Sequence, residues 1–134
     1  MREVIWVAAI VMVGLLLYRG LNVTANVEPP DDQWFAATVI DESQQRPVLV
    51  TFGAEWCGYC KKMEPDLEQL HAKLGDKLHI VHVDVDERGE LARHYGVSGI
   101  PHSFLFNEGK LVADQSGYMQ LPALEKWTSS WVNN

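Results

Sequence analysis

The sequence predicts an α/β domain, a mixed central sheet flanked by helices, with an N-terminal transmembrane or signal-anchor helix before it. Three observations carry that expectation. Short apolar runs alternate with amphipathic stretches from residue 33 onward. Strand, helix and strand signals succeed one another between residues 48 and 85, which makes a βαβ unit. Asn107-Glu108-Gly109-Lys110 then lies between two further apolar runs as a hairpin signal, with a last helix behind it. A parallel unit joined to an antiparallel hairpin gives a mixed sheet, and the helices cover its faces.

Residues 1–20 form the first element, a transmembrane anchor or signal segment. No charged residue interrupts 4–18. A helix of that length reaches ~22 Å, and continuing it to Val23 brings it to the ~30 Å of a hydrocarbon core, with Arg19 free to snorkel. The competing expectation is a signal peptide, with Arg2 ahead of the apolar stretch and Val23-Thr24-Ala25 as a small-residue cleavage site near Ala25. Arg2 and Arg19 lie on either side, so positive charge alone sets no orientation. An export-type N-terminus ahead of a small domain favours the periplasmic or other extracytoplasmic side.

Residues 21–32 read as a linker, extended at Pro29-Pro30, with Asp31 and Asp32 as helix-starting signals. The domain occupies 33–134. Residues 33–42 suit a helix with Phe35, Ala36, Val39 and Ile40 on one face, and 48–52 a buried strand after Pro47. Residues 57–74 form a helix with Met63, Leu67, Leu70 and Leu74 as its stripe and Gly75 at its end. A strand follows at 78–85 and a short helix at 88–95, closed by Gly96. Strands at 102–106 and 111–115 flank the hairpin turn, and 121–132 is a helix with Pro122 in its first turn.

Composition narrows the function. At 134 residues, 47% hydrophobic and 22% charged, the chain has the make-up of one globular domain. Its net charge of -7 offers no footprint for a phosphate backbone, which sets nucleic acid aside. There are two cysteines, Cys57 and Cys60. A bridge between them closes too short a loop to stabilise much, so the pair points to chemistry.

A thiolate is the attacking species in disulfide exchange, and a helix N-terminus lowers a thiol pKa from ~8.5 toward ~3.5–7.5. Cys57 at the start of a helix has that setting, and Cys60 lies one turn on, within reach to resolve a mixed disulfide. The turn geometry leads us to expect Cys57 exposed and Cys60 shielded by the helix. Zinc requires four ligands, and His71, His79, His82, His94 and His102 lack the spacing that would complete a set, so no metal site and no cofactor are expected. Holding Cu(I) between the two thiolates is a rival from another class. A binding module with idle cysteines is a second.

The string Val48-Leu-Val-Thr-Phe-Gly-Ala-Glu-Trp-Cys57-Gly-Tyr-Cys60-Lys-Lys-Met-Glu-Pro65 resembles the strand, active-site turn and kinked helix of the thioredoxin family. Trp56 matches the tryptophan before the first cysteine, and Pro65 the helix proline. Val97-Ser-Gly-Ile100-Pro101 is similar to the family loop whose proline is cis and faces the cysteines. Gly117 matches a glycine flanking the substrate groove. The resemblance runs from about Gln33 to Val132 and implies a thioredoxin-like fold and a dithiol–disulfide oxidoreductase. It implies a groove shaped by Trp56, Gly58, Tyr59, Ile100, Pro101 and Gly117, with protein disulfides or dithiols as substrates and a membrane or soluble thiol as electron donor.

The departures bear on mechanism. Thr51 stands where the family has a buried aspartate, and His82 replaces a nearby lysine. Threonine does not take up a proton as a carboxylate does, so Glu55, His82 and His102 are the candidates for proton transfer. Gly58-Tyr59 resembles the central dipeptide of bacterial disulfide isomerases and other exported relatives. A protein-disulfide reductase is the favoured direction, with isomerase or oxidase as the alternative.

Overall fold

The computed structural model describes residues 7, 9–13 and 28–132. Residues 9–13 are helical, but most of the anchor or signal segment expected at 1–20 lies outside the described residues. Among the described residues, no helix is long and apolar enough to cross a membrane.

The helical segment α1 opens at Gln33–Phe35, continues as a π-helical stretch at Ala36–Asp41 and ends in a 3₁₀ turn at Glu42–Gln44. The sequence led us to expect a regular helix at 33–42. Asp32 starts the segment by accepting the Phe35 N–H at 3.0 Å. Its far end is pinned to the distant hairpin: the Glu108 N–H donates to the Ser43 carbonyl at 2.8 Å, and the Gly109 N–H to Ser43 Oγ at 2.9 Å. Between these fixed ends Phe35 and Val39 are both fully buried. The wider turn lies between these two anchorages, which local apolar spacing does not reveal.

Strand β1 (Val48–Gly53) leads through a turn into helix α2 (Gly58–Leu74), then β2 (His79–Asp84), helix α3 (Gly89–His94), β3 (His102–Asn107), β4 (Lys110–Ser116) and helix α4 (Leu121–Val132). The sheet order is β2-β1-β3-β4; β1 pairs parallel with β2 and antiparallel with β3, and β3 pairs antiparallel with β4. The β3–β4 turn places Glu108 at φ 52° and Gly109 at φ 76°, the two positive angles of a type I′ turn.

Strand alternation divides the core in two. Val48, Val50, Phe52, Phe104 and Phe106 face α1 and α3, where they meet Phe35, Leu91 and Tyr95. Leu49 and Leu105 face the other way, onto Met63, Leu67 and Leu70 of α2 and Leu124 of α4. On that second face Thr51 of β1 lies between His82 of β2 and Ser103 of β3. Toward the carboxyl end of β1 the apolar layer therefore gives way to a polar row, beside the start of α2.

Candidate active site

Cys57 is the N-cap of α2, with extended backbone angles (φ -84°, ψ 109°), and its Sγ accepts the Cys60 N–H at 3.2 Å. A sulfur in that position meets one of the unpaired donors of a helix's first turn and the positive end of its dipole. The turn is closed by the Cys57 N–H donating to the Ala54 carbonyl at 3.1 Å. Cys57 and Cys60 form a disulfide, with Cα atoms 5.2 Å apart.

The opposite wall comes from the loop before β3. The Ile100–Pro101 bond is cis, as the resemblance implied, and the Ile100 carbonyl oxygen lies 3.8 Å from Cys57 Sγ. Gly117, at φ 95°, donates its N–H to the Pro101 carbonyl at 2.8 Å, which brings the end of β4 beside the same loop. Trp56 is 70% exposed, and its Nε1–H donates to Asp86 Oδ2 at 2.8 Å; Tyr59 is 63% exposed, and Gly58 is exposed with open space where a Cβ would stand.

The exposure of the two cysteines corrects our expectation. Cys57 is 7% exposed and buried, while Cys60 is half-buried. The Ala54 turn and the Ile100–Pro101 loop close on Cys57. Cys60 instead borders a cavity of about 180 Å³ whose lining includes Thr51, Gly53, Glu55, Glu64 and His82. Gly53 helps leave that space, because a Cβ there would approach Cys60 Sγ to 3.1 Å. Thr51 is 6% exposed and its Oγ1 has no hydrogen-bond partner. The lining is mixed, with Ala54, Leu67 and Val83 beside these polar groups, and the polar ones give a water next to Cys60 hydrogen-bond partners.

Of the three proton-transfer candidates, Glu55 and His82 border this cavity. His102 does not, which corrects the third. It neighbours Pro101 in sequence, but alternation turns Ser103 toward α2 and His102 to the opposite face. There its ring stacks on Phe104 at 4.3 Å, and Nε2 lies 2.8 Å from Asp114 Oδ2. Glu64 was missed, although its place four residues after Cys60 puts it on the same side of α2. Asp86 and Tyr118 were also missed. Among the described residues, no three His, Cys, Asp or Glu side chains are gathered to hold a metal ion.

An N-capping cysteine bridged to a second one turn later, facing a cis-proline loop, is an arrangement for thiol–disulfide exchange. Comparison with known proteins agrees. The family described as Thioredoxin matches residues 26–130. The chain is 42% identical over 95 residues to thioredoxin of Bacillus subtilis (strain 168), covering 71% of this chain and 88% of that one. It is 46% identical over 102 residues to the chloroplastic thioredoxin X of Arabidopsis thaliana, covering 75% of this chain and 55% of that protein's length. Among solved structures, a point-mutant thioredoxin from Halobacterium salinarum NRC-1 superposes with a TM-score of 0.63 at 36% identity, over 69% of this chain and 81% of that one. The chain belongs to the thioredoxin family and is a thiol–disulfide oxidoreductase.

Proposed function

We propose that this protein is a protein-disulfide reductase, held at a membrane by its N-terminal segment, with its domain on the extracytoplasmic side. The observation that carries the chemistry is the Cys60 N–H donating to Cys57 Sγ at the helix N-cap, because the same donor stabilises a thiolate there. In the reduced protein the Cys57 thiolate attacks one sulfur of a substrate disulfide, forming a mixed disulfide and releasing the other substrate sulfur as a thiolate. Cys60 gives up its proton toward the cavity and attacks Cys57 Sγ, releasing the second substrate thiol and leaving the Cys57–Cys60 disulfide. Two electrons pass to the substrate, and a thiol donor, soluble or membrane-bound, restores the dithiol. The groove of Trp56, Gly58, Tyr59, Ile100, Pro101 and Gly117 receives the substrate chain, where the peptide groups beside the cis bond offer backbone partners to an extended segment. The uncharged 4–18 stretch supports the anchor.

The deciding measurement is the reduction potential of the Cys57–Cys60 pair, taken beside an insulin-reduction assay. A reductase lies near the ~-270 mV of thioredoxins; a value near the ~-120 mV of strong oxidants overturns that direction. Carbonate extraction and labelling of intact cells with an impermeant thiol reagent test the membrane placement. A protein released by carbonate, or unlabelled until lysis, refutes it.

A further inference from the structure

Tyr59 and Tyr118 stand together on one rim of the groove, ring centroids 6.2 Å apart and planes at 39°. Lys62, in the first turns of α2, places Nζ 4.9 Å from the Tyr118 ring centroid and 6.0 Å from that of Tyr59. Tyr118 is held from behind, its hydroxyl donating to Asp66 Oδ2 at 3.3 Å. The other oxygen of Asp66 accepts the Leu121 N–H at 3.1 Å, at the start of α4. Both oxygens of the carboxylate four residues from Lys62 are thus engaged elsewhere. Among the described residues, no carboxylate lies within ion-pair distance of Lys62.

The fold gives this lysine little reward. A cation near a helix N-terminus opposes the macrodipole, and Lys62 is exposed. Beside Trp56 the groups are acidic, since Trp56 is tied to Asp86 with Glu55 and Asp84 nearby, while Lys61, exposed directly after Cys60, is the other cation next to the dithiol. The groove rim is therefore polar in the electrical sense, acidic beside Trp56 and basic beside Tyr59. The two tyrosine rings hold the ammonium group by cation–π contact and leave its hydrogen-bond donors available on the open side.

We propose that Tyr59, Lys62 and Tyr118 form an acid-selecting subsite that takes a substrate Asp or Glu side chain next to the disulfide being reduced. The carboxylate meets Lys62 Nζ, and its methylene stem lies against the tyrosine rings. This deepens the reductase reading and rests on it, since it assigns the side chain the enzyme prefers beside the reacting sulfur.

The test uses the reduced full-length protein and three peptide disulfides, symmetric dimers that differ only in carrying Glu, Gln or Lys beside the cysteine. Thiol release is followed by stopped flow. At low salt the Glu peptide reacts about two- to fivefold faster than the Lys peptide, the range of an exposed ion pair. Salt at ~1 M, where screening falls to ~3 Å, removes the difference. Lys62→Glu reverses the order, Tyr118→Ala shrinks it, and Tyr118→Phe keeps it because the ring remains. Expressing each rate relative to the Gln peptide in the same variant separates selection from any change in folding or thiol reactivity. A Glu-to-Lys ratio near one in the wild type, or one that Lys62→Glu does not move, overturns the subsite while leaving the reductase intact. Failure to reduce even the Gln peptide overturns both.

Discussion

Thr51 of β1 and His82 of β2 are register partners, and both border the cavity that ends at Cys60. Residue 51 offers no carboxylate there, and the titratable side chains around the space are Glu55, Glu64, His82 and Asp84. Replacing Thr51 by Asp puts an acid there. Resolution of a mixed disulfide at neutral pH should quicken, since a positioned proton acceptor is worth typically ~10²–10⁴-fold. Burial raises the pKa of such a carboxyl, so the variant should lose stability as pH rises above its unfolded value of ~3.9. Stopped-flow reduction of a model disulfide from about pH 5 to 9, with Glu55→Gln, Glu64→Gln and His82→Gln alongside, identifies the native acceptor. A Thr51→Asp protein that resolves no faster shows that the cavity groups already suffice.

The two cysteines should behave differently despite Cys57 being the more buried. Cys60→Ser should accumulate mixed disulfides through Cys57, because attack no longer leads to release. Cys57→Ser should trap little. Mass spectrometry after exposure to a disulfide substrate reads this directly, and equal trapping by both would reverse the assigned roles.

Tyr95 lies among Phe35, Phe52, Phe104 and Phe106, with centroid separations of 5.3–6.3 Å. Burial pushes its hydroxyl pKa well above the ordinary 10. The folded protein keeps a proton that the unfolded chain loses above ~10, so stability should fall as pH rises past that point. Ultraviolet titration should show the Tyr95 hydroxyl ionising well above the ordinary 10, and Tyr95→Phe should flatten the alkaline loss of stability. An unchanged alkaline slope would place its cause elsewhere.

Phe35 is fully buried, with Tyr95 at 5.3 Å and Phe106 edge-on at 5.5 Å. Phe35→Ala should cost ~3–5 kcal/mol, the usual penalty for an emptied aromatic site. Urea unfolding measures it; a loss below ~1 kcal/mol would mean that the irregular α1 segment closes over the gap.

Much of the architecture was legible because its signals are local. The apolar run after Pro47, the 3.6-residue stripe of Met63, Leu67 and Leu70, and the residues around Gly109 each specify an element without outside help. The site was legible where residues adjoin the cysteines. What stayed hidden depends on distant contacts. The π-helical stretch of α1 lies next to Ser43, which docks on a hairpin more than 60 residues away. The ring of Tyr118 reaches Tyr59 only because the chain returns beside Pro101. His102 is different: its strand parity with Ser103, Phe104 and Leu105 is readable in the sequence and sets the face it takes, despite its proximity to Pro101.

Residues 28–32, which read as linker, are fastened to α3 and its approach. His94 Nε2 lies 2.7 Å from the Glu28 carbonyl oxygen, Arg88 pairs with Asp32 at 3.2 Å, and the Arg88 guanidinium sits 3.8 Å over the Trp34 ring. These fastenings lie on the sheet face that packs α3, whereas Cys60 and its cavity belong with α2 on the other. A pull arriving along the backbone from before residue 28 is therefore borne by Glu28, Asp32 and Trp34, with the sheet between the load and the dithiol. The redox centre is mechanically insulated from strain applied at that end of the domain.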